Sequence, residues 1–231
     1  MPPSGHLVLT LMSGHIRQTL TPRKNCEGRG SSALRCADFE TWISYNNHGT
    51  MNLFVLRHAS AGTPTTDPDS DRKRPLDKEG VRHCPLLARV LNAMNVGFDL
   101  IVPSPLKRSL QTASLVAAET GYKSKVLQSD SLAPEATLKD LKKLLNDYRD
   151  RDNILVVGHN PNLSVFLGAL LVPAGSSPAQ IRLRKGSLAK LSVTQSGSTL
   201  QSVLDPRLIR TLHAIPTKGR TGKSRKSKPN P

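Results

Sequence analysis

The sequence predicts a three-layer α/β/α sandwich with a mostly parallel central sheet. Two short runs, NLFVL at 52–56 and NILVV at 153–157, are apolar without the alternation of a half-exposed strand, as expected of strands covered on both faces. Stretches with apolar residues at three-to-four spacing follow these runs, so strands and helices take turns along the chain. That order lays helices on both faces of a sheet. Helix-opening pairs also follow strand segments, Ser104 with Pro105 after 99–102 and Asn160 with Pro161 after 153–157.

Element by element, the first strand is 52–56, opened directly by Met51. Asp77 is the expected N-cap of a helix reaching about Met94, with Leu87, Val90, Leu91 and Met94 on one face. A second strand spans 99–102. Ser104 as cap and Pro105 in the first turn open the next helix, and Gly121 closes it. Residues 126–128 read as a short strand. Thr137 caps a third helix whose Leu138, Leu141, Leu144, Leu145 and Tyr148 mark the buried side. The strand at 153–157 ends in Gly158 and His159, and Asn160 with Pro161 starts a helix that is apolar nearly all round. Segments 187–194 and 198–204, joined across a Gly-containing turn, read as a hairpin.

The 231 residues suffice for one domain with appendages, which we place at 51–210. Residues 1–50 lack apolar periodicity and are expected to be disordered. Their acids Glu27, Asp38 and Glu40 count against an organelle leader, which favours a start assigned too far upstream of Met51. The net charge is +16, and half of it lies in the last 26 residues. The segment 211–231 therefore reads as a disordered basic tail that solubilises the chain and touches polyanions at most non-specifically. With 8 aromatic residues in all, a base-stacking nucleic-acid module is not expected. The longest apolar stretch, 163–174, is short of the roughly 20 residues of a membrane helix. The amino terminus lacks the charged-then-apolar plan of a secretory signal, so a cytoplasmic location is expected. Cys26, Cys36 and Cys84 show no paired-ligand spacing and read as free thiols.

In an α/β sheet, ligand chemistry gathers at the carboxyl ends of the strands. Here those ends deliver Arg57 and His58, then Arg108 in the first turn of a helix, then His159 one residue before another helix start. Two arginines and two histidines beside helix amino ends suit a doubly charged phosphoryl group, because guanidinium offers a planar fork of donors and the helix dipole favours an anion. No clustered carboxylates accompany them, so neither a metal nor another cofactor is expected. Any one of these residues alone would read as a surface charge or a capping histidine; the constellation carries the inference. His83 and His213 read as non-catalytic.

The segments LRHASAG at 56–62, SPLKRSLQTA at 104–113 and VVGHNP at 156–161 resemble the signature segments of the histidine phosphatase superfamily. The RHA variant, the small domain without a large cap insertion and RPLDKEG at 74–80 are similar to the SixA-like phosphohistidine phosphatases. The likeness covers about 51–210, including DPRLIRTL near its end. It implies a phosphoglycerate mutase-like fold and a metal-independent, two-step phosphoryl transfer with a covalent intermediate on His58. Arg57, Arg108 and a protonated His159 would bind the phosphoryl oxygens, Arg74 would line the pocket mouth, and a backbone carbonyl would fix the tautomer of His58. The resemblance also offers Glu135, in LAPEAT, as a candidate general acid, which a phosphohistidine substrate needs less because an imidazole leaves more readily than an alkoxide. A shallow pocket on a basic surface implies phosphohistidine on an acidic protein partner such as a phosphotransfer domain. Alternatives are a small-molecule phosphomonoesterase and a non-catalytic phosphate-binding adaptor.

Overall fold

The computed structural model describes residues 50–214. The expectations for the leading segment, for the basic tail beyond 214, and for Cys26 and Cys36 lie outside the described residues. Along the chain run β1 (Thr50–Arg57), α1 (Pro68–Lys73), α2 (Lys78–Ala93), β2 (Leu100–Pro103), α3 (Lys107–Glu119), α4 (Leu138–Asp147), β3 (Asn153–Gly158), α5 (Asn162–Leu170), β4 (Leu188–Thr194), β5 (Gly197–Leu204) and α6 (Pro206–Ala214).

The strands form one sheet in the order β2-β3-β1-β4-β5. β1 and β2 each pair in parallel with β3, while β4 is antiparallel to both β1 and β5. Four of the five strands thus point the same way and only β4 runs against them. The parallel strands are joined through helices, as parallel pairing demands.

Alternation along each strand divides the core into two layers. Leu53 and Val55 of β1, with Val102, Ile154 and Val156, pack against Leu141 and Leu145 of α4 and Leu163 and Leu167 of α5. Phe54 and Leu56, with Ile101, Leu155 and Val157, face Leu87 and Leu91 of α2, Ala113 and Val116 of α3 and Ile209 of α6. Each such aliphatic or aromatic side chain stabilises the fold by about 1.5–3 kcal/mol through burial.

Helix starts follow their caps. Asp77 accepts from the Gly80 amide at the head of α2, and Thr137 with Asp140 forms a reciprocal capping box on α4. The structure departs from expectation in five places. Met94 is the C-cap of α2 and 47% exposed, because the helix stops at Ala93 and the chain turns away before Met94 reaches the core. α3 begins at Lys107 with no side-chain cap, since the Ser104 hydroxyl instead pairs with His159. Residues 126–128 form no strand, although the Leu127 and Ser129 amides bond to Ile101 and Pro103 at the edge of β2. α5 starts at Asn162, and Val165 on it faces solvent. The segment 71–74, where the sequence predicts no helix, belongs to the short helix α1 and its C-cap, opened by the Asp67 side chain on the Ser70 amide with Pro68 behind it. No described helix is long and apolar enough to cross a membrane.

Candidate active site

At the end of β1 the sheet ladder continues one step further, with the His58 amide donating to Gly158 O at 3.0 Å. This sets His58, 5% exposed, beside His159, 3% exposed, with ring centroids 5.0 Å apart and planes inclined by 50°. Nδ1 of His58 lies 2.8 Å from Ala59 O. A carbonyl only accepts, so Nδ1 carries the ring proton and Nε2 keeps the lone pair. Burial pushes His58 down to about 3; the bond to Ala59 opposes this, and the charges of Arg108, Arg57 and Lys185 reinforce it. The imidazole is therefore neutral at pH 7, the form in which an imidazole nitrogen has a lone pair to give.

His159 is also held down to about 3, first by burial, then by His58, Arg108 and Arg57. The expected protonated His159 is thus neutral in the protein by itself, because a buried imidazole among guanidiniums resists further positive charge. A dianion between the two histidines would supply the opposing charge that raises it. One nitrogen, Nε2, lies 2.8 Å from Ser104 Oγ, and Nδ1 is buried without a partner among the described residues.

The arginines close the cluster. Arg57 donates to Leu183 O at 2.9 Å. Arg108, 6% exposed, donates to the backbone oxygen of Asp71 at 2.7 Å and meets its carboxylate at 3.1 Å. The Nε atoms of both arginines are buried and unpartnered among the described residues, so each guanidinium retains donor capacity for an anion. Arg74 pairs with the same Asp71 at 2.8 Å and also holds Ala61 O. α1 is thereby strapped over the arginine side of the site. The Arg74 hydrogen bond, and beyond it the charge of Arg108, keep Asp71 below the usual carboxylate range despite partial burial.

The loop carrying His58 is fastened from three directions. Thr112 of α3 accepts from the Ala59 amide and donates to Arg108 O, tying the His58 loop and the arginine helix together. Asp77 accepts from both the Ser60 hydroxyl and the Gly62 amide. Behind, the Gly186 amide donates to the Arg57 and His58 carbonyls, and Gly186 O bonds to Nε2 of buried His83 at 2.9 Å. His83 therefore supports the site from outside it. His213 reaches Leu86 O, away from this cluster. Glu135 sits exposed in the 133–136 turn, which the Asn162 amide group pins through Ala133 O and Ala136 O, and it pairs with Arg72 of α1 at 3.3 Å. The buried Cys84 thiol, pushed up to about 12 by burial, donates to Gly80 O and takes no part.

Residues 53–133 match the histidine phosphatase superfamily (branch 1). An uncharacterized protein of Picosynechococcus is 31% identical over 144 residues, covering 61% of this chain and 84% of that one. The chain belongs to the histidine phosphatase superfamily. Among solved structures it is similar to a candidate phosphohistidine phosphatase SixA of Nakamurella multipartitia, at 27% identity and a TM-score of 0.56 over 68% of this chain and 97% of that one. The protein histidine phosphatase SixA complexed with tungstate shares the fold at 22% identity, with a TM-score of 0.60 and coverage of 69% and 99%. So does a phosphoglycerate mutase of Bacillus anthracis, at 18% identity, a TM-score of 0.55 and coverage of 70% and 96%.

In this member of the superfamily, four groups of the site escape sequence reading. Ser104 looks like a helix cap, Asp71 like one charge in DRKR, and Lys185 and Gly186 like an ordinary turn. The only local signal was the three-residue spacing of Asp71 and Arg74, which suits a helical turn.

Three buried histidines, His58, His159 and His83, are all held below their ordinary value chiefly by burial. The unfolded chain therefore binds more protons than the folded one once pH drops below about 6.5. Their neutral burial costs nothing in stability above that pH, and stability is lost as pH falls toward the folded values. Thermal unfolding from pH 8 to 4 should show a melting temperature that declines below about pH 6.5, and His58→Asn should flatten the decline. A melting temperature level down to pH 4.5 would rule out buried neutral histidines.

Proposed function

We propose that this histidine phosphatase removes phosphate from phosphohistidine on a protein partner such as a phosphotransfer domain, through a phosphoryl intermediate on His58. The observation that carries the reading is the neutral His58, with Nδ1 fixed on Ala59 O and Nε2 free, beside His159 and flanked by buried Arg108 and half-buried Arg57. In the first step a bond forms from Nε2 to phosphorus as the bond to the substrate imidazole breaks, and the departing nitrogen takes up a proton. In the second, water attacks phosphorus and the bond to Nε2 breaks, releasing phosphate. Arg57, Arg108 and His159 stabilise the equatorial oxygens. Arg74 positions rather than reacts, since it secures Ala61 O and Asp71 at the pocket mouth.

The protein substrate is supported by the low rim, which α1 and the 133–136 turn form without a domain-sized insertion, and by the likeness to a candidate phosphohistidine phosphatase. A small-molecule phosphomonoesterase is the second reading, favoured by the place of Glu135 on that rim opposite Arg72. A phosphate-binding adaptor would have no use for an oriented nucleophile.

Phosphate release from a phosphohistidine-bearing phosphotransfer domain and from a panel of phosphate monoesters tests the reading. We expect kcat/KM on phosphohistidine to exceed that on any ester by at least about tenfold, with Glu135→Gln within about threefold of the parent. Dominant ester hydrolysis that falls about 10²-fold in Glu135→Gln would assign a monoesterase with Glu135 as its acid. No release from either would leave the adaptor.

A further inference from the structure

A groove of about 340 Å³ opens off Arg57 and is lined by Ser60, Lys185, Arg207 and Arg210, among others. Five cations border it, counting Arg57 and Arg184, against Glu79 and Asp205. Their state of neutralisation differs. Arg184 is paired with Asp205 at 3.1 Å and Arg210 with Glu79 at 2.8 Å. Among the described residues the Lys185 ammonium donates only to Gly62 O, and the exposed Arg207 side chain has no hydrogen bond or ion pair. Like charges set this close repel one another, so leaving two unneutralised beside Arg57 costs stability that an anionic partner would recover.

We infer that this groove is a docking surface for the acidic side chains of a folded protein, flanking the phosphorylated residue bound at His58. The inference rests on the proposed protein substrate and names how that partner is held. Two features select this occupant. The free cations stand on separate segments, the 184–185 turn and the first turn of α6, and do not converge as a fork on one point. Each wall also carries its own carboxylate, which repels a compact dianion such as a second phosphate but leaves Lys185 and Arg207 open to single carboxylates spread over a surface.

The probes are two fluorescent peptides with a central phosphohistidine, one flanked by four Glu and one by four Gln, together with the same pair built on phosphoserine. Dissociation constants are read by anisotropy on the full chain carrying His58→Ala, which does not consume the peptide, and phosphate release is read on the parent. At low salt we expect the Glu peptides to bind about tenfold more tightly than the Gln peptides, with the ratio collapsing at 0.5 M NaCl, a salt level chosen as roughly one at which the screening length falls to a few Å. Adding Arg207→Glu should bring the ratio to about one, while Arg89→Glu, the same charge change on the exposed face of α2, should preserve it. Melting curves confirm that each variant is folded. Equal binding of Glu and Gln peptides would overturn the inference. So would a preference that survives Arg207→Glu, which would belong to the general positive charge of the chain, or tight binding of fructose 1,6-bisphosphate with the two peptides equal. If the parent releases phosphate from phosphoserine only, the phosphohistidine reading fails, and the Glu-to-Gln ratio still decides the groove.

Discussion

Replacing His58 by Ala should lower turnover by about 10⁴-fold or more, the scale seen when a covalent nucleophile is removed. The loss follows from the geometry, because His58 is the imidazole whose Nδ1–H donates to a carbonyl, leaving the Nε2 lone pair available. His159 has its Nε2 engaged by Ser104 and its Nδ1 buried, so neither of its nitrogens is presented as Nε2 of His58 is. The same substitution should leave melting within a few degrees of the parent near pH 7. His58 lies outside both apolar clusters, and its removal leaves Ala59 O at the edge of a polar pocket. The check is threefold: phosphate release, acid-labile phosphoryl label on the protein during turnover, and a melting curve. Label and turnover should vanish together with the fold intact. Retained turnover would place the nucleophile elsewhere.

Gly80→Ala should damage both stability and activity, although residue 80 touches no substrate. A Cβ at this position would stand 2.1 Å from Ser60 O, and backbone cannot swing aside as a side-chain tip can. The first turn of α2 must retreat, or the 58–62 loop must yield. Forced overpacking of this kind costs about 1–3 kcal/mol and sometimes more. Asp77 couples the two halves, since it caps the Gly80 amide while gripping Ser60 and Gly62, so a shift at α2 reaches His58. A displacement near 1 Å in a positioned nucleophile can cost about 10²-fold in rate. Gly97→Ala is the control, because a Cβ there meets nothing within 4 Å. Melting and kcat/KM of the pair decide the matter: equal behaviour of Gly80→Ala and Gly97→Ala would mean that the loop is not clamped to α2.

What sequence reading reached, and what it missed, follows the range of the forces involved. β1 and β3 were legible because both faces of each strand are buried, so their runs are apolar throughout. Asp77 and Thr137 announced α2 and α4 because capping is a contact between residues three apart. Arg57, His58, Arg108 and His159 were legible as motif residues at strand and helix ends, and the structure brings the four together. α1 was not legible, since it buries no residue and so leaves no apolar stripe; what fixes it is Asp71 meeting Arg108, 37 residues away. Ser104 was misread for the same reason, its local role as a cap losing to a partner at His159. Gly186 needed His83, 103 residues distant, to show its purpose.

The register of β1 against β3, continued by one residue, sets His58 beside His159. The gap between the two imidazoles, 5.0 Å, is therefore close to the pitch between neighbouring strands, about 4.8 Å. Backbone ladders act here as a gauge that no loop substitution can re-cut. The paired imidazoles are thus set by the sheet, while the α1 strap with Asp71 and Arg74, the turn bearing Glu135 and the wall bearing Lys185 form the perimeter around them. A protein built in this way can change its clientele by editing its rim and keep its chemistry untouched.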